Sequence, residues 1–183
     1  MVFFPEPNRH LQSFLRDIIN TKNPFVMCGD LVEASRHGHL DVVKSLILEG
    51  ADIRANNNEA LIWASDEGHL DVVKYLIESG ADVHAEDEGA LRLASGGGHL
   101  EVVELLISNG ADVHARNDIA LRWASGGGHL EAVKYLVTHG ADVHARNDIA
   151  LRLASMNGHL DVVKFLISEA RNQRQSPEIH VVK

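Results

Sequence analysis

The chain has 183 residues, 45% of them hydrophobic, with one cysteine and a formal net charge of −9. A single cysteine excludes an internal disulfide framework, and no apolar run is long enough to span a bilayer. The charge is uneven: residues 24–169 carry 23 acids against 11 bases, and residues 59–88 set nine acids against Lys74 alone. Such a body repels nucleic acid, draws in a basic partner, and is also kept soluble by its acidity. The opening MVFFPEPNRHLQ has neither the basic segment nor the long apolar stretch of a secretory signal. With Cys28 as the lone thiol, the expected setting is intracellular and cytoplasmic, without membrane attachment.

In residues 1–23, Leu11, Phe14, Leu15, Ile18 and Ile19 share one helical face. That pattern predicts an amphipathic capping helix over about 8–20. A thirty-residue unit then recurs five times over 24–169, with Gly-His-Leu at 38–40, 68–70, 98–100, 128–130 and 158–160. Repetition at a fixed period predicts one elongated stack, in which no unit buries its apolar face alone.

The fourth unit, NDIALRWASGGGHLEAVKYLVTHGADVHAR, serves as the type. Ile119–Ser125 reads as a short first helix, stopped by Gly126, Gly127 and Gly128. A second helix runs from about His129 to Thr138, with Leu130, Val133, Leu136 and Val137 as its stripe. Gly140 gives a left-handed stop, and Ala141–Ala145 a short extended link. At the front, Asp30 and Glu33 replace apolar residues, as an outermost layer requires. At the back, Leu151, Leu153, Val162 and Phe165 stay apolar before the tail, 170–183. Either Ile179, Val181 and Val182 fold back over that face, or it meets another molecule such as a second copy.

The string GHLDVVKYLIESGADVHA resembles the ankyrin repeat, and the likeness extends over roughly 25–169. It implies an all-α solenoid of helix-turn-helix units. Two departures stand out. The period is 30 rather than about 33, the missing residues falling between Ala115 and Ile119, where the family carries its hairpin finger. The Thr-Pro-Leu-His signature is replaced by Ile119-Ala120-Leu121-Arg122 and its equivalents. Fingers are therefore expected to be short. The wording of the units is also similar to that of the large ankyrin families of giant amoeba viruses.

The resemblance implies protein–protein recognition rather than catalysis. In the family, the two residues after the first helix's Ala-Ser face the concave surface. Here these are Arg36-His37, Asp66-Glu67, Gly96-Gly97, Gly126-Gly127 and Met156-Asn157. An acidic flank of Asp66, Glu67, Asp87 and Glu88 would attract a basic segment, with Arg116, Arg122, Arg146 and Arg152 beyond it. Trp63 and Trp123, alternating with Leu93 and Leu153, are expected to fill the core.

Asp118 and Asp148, just ahead of a first helix, are expected to replace the lost threonine as N-caps. Glu88–Arg92, Asp118–Arg122 and Asp148–Arg152 are spaced four apart and predict local ion pairs worth ~0.2–0.5 kcal/mol each. Histidines 39, 69, 99, 129 and 159 recur once per unit, ~8–10 Å apart, too far to share a metal whose ligands sit ~2 Å from it. They read as turn histidines with local hydrogen bonds. The row His84, His114 and His144 fails as a metal site on the same geometry. The glycine triplets lack the strand and Lys-Ser/Thr of a phosphate loop, and Cys28 lacks an orienting partner. No cofactor, metal or enzyme activity is expected. Two other functional readings stand beside recognition. One is self-association as a homodimer through the apolar C-terminal face. The other is a diverging copy with no dedicated ligand, since 110–122 and 140–152 are identical.

Overall fold

Within each unit the apolar residues alternate between two helices that close on one another. The computed structural model describes residues 24–175; the capping helix expected at 8–20 and the tail residues Ile179, Val181 and Val182 lie outside them. Ten helices occupy the described residues, in pairs. They are α1 (Pro24–Arg36), α2 (Leu40–Leu48), α3 (Ala55–Asp66), α4 (Leu70–Glu78) and α5 (Ala85–Gly97). After these come α6 (Leu100–Ser108), α7 (Ala115–Gly127), α8 (Leu130–Thr138), α9 (Ala145–Met156) and α10 (Leu160–Gln175). The all-α solenoid expected from the repeat is what forms.

One position per turn of the pattern supplies each layer of the core. Leu31, Leu61, Leu91 and Leu121 lie on first helices, and Leu46, Leu76, Leu106, Leu136 and Leu166 on second helices; all are buried. Alanines 34, 64, 94, 124 and 154 let the paired helices approach closely. Leu151, on the first helix of the fifth unit, is only half-buried. Neighbouring first helices pack closely along their row, whereas second helices touch their neighbours far less. The stack therefore bends with the first helices on its inner side.

The second helices start and stop as their stripe predicts. α8 ends at His139, where Gly140 (φ 104°) turns the chain and Ala141 N donates to Leu136 O at 3.0 Å. The first helices differ from expectation. α7 continues through Gly126 and Gly127, and only Gly128, at φ 78°, terminates it. The link after Ala141 is not extended. Asp142 Oδ1 accepts from His144 N at 2.8 Å, a local turn that reverses the chain.

Three residues then take left-handed conformation in each of four units: Asn56–Asn58, Glu86–Glu88, Arg116–Asp118 and Arg146–Asp148, with φ between 49° and 64°. This left-handed turn stands where a hairpin finger would otherwise project. It lies within the bounds of α3, α5, α7 and α9, so their right-handed parts begin at Glu59, Gly89, Ile119 and Ile149. Left-handed geometry costs ~1–2 kcal/mol per ordinary residue, and asparagine and aspartate, which tolerate it best, hold eight of the twelve positions. At the C-terminal end α10 spans 16 residues, running past position 169, and Ala170 packs on the core.

Candidate partner-binding groove

Contacts between successive units build the inner face. His69, His99, His129 and His159 each place Nε2 against a carbonyl of the preceding unit, at Arg36, Asp66, Gly96 and Gly126, over 2.7–3.0 Å. A carbonyl only accepts, so Nε2 carries the proton. These bonds link units and are not the local turn bonds expected. They explain the glycines too: a Cβ at Gly97 would lie 2.6 Å from His99 Nε2, and one at Gly127 2.5 Å from His129 Nε2.

A second link runs from the left-handed turn. Asn58 Oδ1 accepts from Asp82 N at 2.8 Å, and Asp118 Oδ1 from Asp142 N at 2.9 Å, each reaching the loop that closes its own unit. Asp118 also meets His114 Nδ1 at 3.0 Å, as Asp148 meets His144 Nδ1 at 2.6 Å. The expected N-caps are therefore corrected: no cap hydrogen bond from a side chain forms on α7 or α9. The left-handed turn brings the Asp118 carboxylate to the loop at Asp142 and that of Asp148 to His144. For the same reason the expected pairs Glu88–Arg92, Asp118–Arg122 and Asp148–Arg152 do not form among the described ion pairs.

Glu88, at the same position in unit three, is one methylene longer. Its Oε1 meets His84 Nδ1 at 2.7 Å, while its buried Oε2 has no hydrogen-bond partner. Shortening it, Glu88→Asp, should recreate the bond seen from Asp118 and raise stability by about 1 kcal/mol in urea unfolding. The hydrogen bond to Glu88, aided by that carboxylate's charge, raises the pKa of His84 above its ordinary 6.5. A raised folded pKa gives stability that is full below 6.5 and is lost as pH climbs through the elevated value. The stability difference between wild type and His84→Gln should thus be largest below pH 6.5 and shrink above it.

With the carboxylates engaged within the stack, Arg92 and Arg122 form no ion pair among the described residues. Arg122 Nη2 donates to Arg116 O at 3.0 Å, and its Nε is buried without a partner, as is that of Arg92. Burial, and secondarily the charge of Arg146, lower the pKa of Arg122. Arg92 lies over the Trp123 ring at 5.3 Å and Arg36 over Trp63 at 4.4 Å. Trp63 Nε1 donates to Glu59 Oε1 at 3.1 Å. Trp123 is 42% exposed, a correction to its expected place in the core. Gly96 makes room for it, since a Cβ there would approach Trp123 Cε3 to 3.0 Å.

The ten residues expected to face a partner divide as follows. Glu88 is buried at 5% exposure and so leaves the surface, a correction to the acidic flank. Glu67 lies 3.7 Å from Arg36, and Asp87 Oδ2 accepts from Arg116 Nε and Nη2 at 2.9 and 2.7 Å. Four of the ten are thus joined in two cross-unit ion pairs. His37 bonds Glu33, Asn157 Nδ2 donates to Gly126 O, Asp66 is half-buried, Arg146 is exposed, and Met156 is 80% exposed. The stacked pair of Arg92 and Trp123 was not among the residues that the sequence expected to meet a partner. The thirty-residue recurrence of Leu-Arg-(Leu/Trp) after the first alanine was the available signal.

A family model described as "Ankyrin repeats (3 copies)" matches residues 31–117 and 91–176. No curated protein matches the chain. Paired helices in register, cross-unit histidine links and a match spanning all five units lead to one assignment: the chain belongs to the ankyrin-repeat family.

Proposed function

We propose that the chain captures a partner protein along the inner face formed by its first helices. Ankyrin repeats are generally protein-interaction modules. The observation that carries the reading is Trp123: an indole 42% exposed, seated over Gly96 and covered on one side by Arg92. Aromatic side chains held rigidly beside arginine are the usual anchors of protein interfaces. At units two and three Glu59, Asp66, Glu67, Glu86 and Asp87 make the groove acidic, which favours a basic stretch of the partner there. The reading invokes no nucleic acid, bilayer, metal or catalysis. The lone cysteine supports an intracellular setting.

A photo-crosslinking residue placed at Asp66, Trp123 or Arg152 in the native host should trap one and the same partner. The same residue at Lys74, Glu104 or Lys164, on the second helices, should trap none. Adducts from the second helices, or from no position, would overturn the reading, the latter favouring a copy without a ligand.

Self-association has its own support. Met156, Leu160 and Ile167 are exposed by 80%, 67% and 37% at the C-terminal face. Beside them a cavity of about 200 Å³ is lined by His144, Asp148, Leu151, Ile167, Ala170 and Arg171. Sedimentation over a range of concentrations decides it: a dimer weakened by Leu160→Glu supports this second reading, and a monomer throughout removes it.

A further inference from the structure

The overall charge predicts a basic partner, yet the inner face changes sign along the stack. Within units three to five, the carboxylates nearest the arginines are all engaged elsewhere. Glu88 holds His84, Asp118 holds His114 and Asp142 N, Asp148 holds His144, and Asp87 holds Arg116. Among the described residues no carboxylate forms an ion pair with Arg92, Arg122 or Arg152. The first two keep a buried Nε without an acceptor. Three arginines at identical places in consecutive units, with Trp123 between the first two, form a basic, partly aromatic strip on an otherwise acidic protein.

The repeat sets the spacing of this strip. Helices packed side by side are ~8–10 Å apart, and a chain in polyproline-II conformation advances ~3.1 Å per residue with about three residues per turn. One unit therefore corresponds to about one turn of such a segment, and every third side chain returns to the same face. We propose that units three to five take an acidic segment of the partner in polyproline-II conformation, with a carboxylate at every third residue facing Arg92, Arg122 and Arg152 and an apolar side chain against Trp123. Arginine suits this task, because its planar fork binds carboxylates through two hydrogen bonds. A nucleic-acid strand presents a phosphate every ~3.4 Å, a denser charge than one arginine per unit matches, and the acidic body repels it.

This inference rests on the protein-capture reading and names the chemistry of its ligand. The full chain is titrated at low salt with a fluorescent twelve-residue peptide of the pattern Glu-Leu-Ser repeated. Three controls are run: the same composition with the glutamates clustered, a lysine version, and a single-stranded RNA. The patterned peptide should bind best. The triple variant Arg92→Gln/Arg122→Gln/Arg152→Gln should weaken it by about tenfold or more, as loss of charged hydrogen bonds does. Arg152 is exposed, so Arg152→Gln alone, which leaves the fold intact, should weaken it about threefold. Equal binding of the clustered or lysine peptide, tighter binding of RNA, or unchanged affinity in Arg152→Gln would overturn the inference. A partner that crosslinks to Trp123 through a segment without acidic residues would defeat the inference and leave the capture reading standing.

Discussion

Leu106→Ala is expected to lower the unfolding free energy by about 2–5 kcal/mol, the cost of emptying a well-packed site plus the cavity left behind. Leu106 is 0% exposed on α6 in the middle unit, with layers of equivalent leucines on both sides. Because each unit touches only its neighbours, damage here severs the stack at its middle, where neither end can compensate. The same change at Leu166, in the last unit, removes contacts on one side only and should cost less. Urea denaturation followed by circular dichroism checks both. A loss below about 1 kcal/mol at Leu106 would mean that the units do not share one continuous core.

Gly98→Ala is the second large effect. Gly98 ends α5 at φ 75°, and an added Cβ would run into the ring of His129 from the next unit. The left-handed conformation costs an alanine ~1–2 kcal/mol, and the steric conflict adds ~1–3 kcal/mol. The two parts separate in a double-mutant cycle. In a His129→Ala background the ring is gone, so Gly98→Ala should then cost only the conformational part. An identical cost with and without His129 would contradict the close approach of ring to turn.

These two sites show what the sequence discloses and what it does not. The second helices and their stops were legible, because Leu130, Val133 and Leu136 recur at helical spacing and Gly140 ends each stripe. The ends of the first helices were not. Gly126 and Gly127 look like breakers in isolation, but Gly127 is small because His129 packs against it, and the helix passes through both. The left-handed turn at Arg116–Asp118 was equally hidden. Asn117 and Asp118 tolerate it without requiring it, Arg116 gives no sign of it, and only the three-residue deficit in the period hinted that the connection had changed. Asp118 and Arg122 stand at ion-pair spacing, and sequence cannot weigh that pair against the backbone N–H of Asp142, 24 residues on. Trp123 shares the apolar pattern of Leu93 and Leu153, which marks a helical face without saying which side of it meets water.

The groove depends on one division of labour: carboxylates serve the stack and arginines are left to the surface. Stability measurements on Asp118→Asn and Asp118→Ala test it most directly. Asparagine keeps the oxygen that accepts from Asp142 N, as Asn58 already does toward Asp82, so Asp118→Asn should be nearly neutral. Alanine leaves that N–H unpaired and should cost about 1–3 kcal/mol. If Asp118→Asn proved as costly as Asp118→Ala, or if alanine cost no more than the ~0.5 kcal/mol of a surface pair with Arg122, the carboxylate would belong to the arginine and the basic strip would not exist.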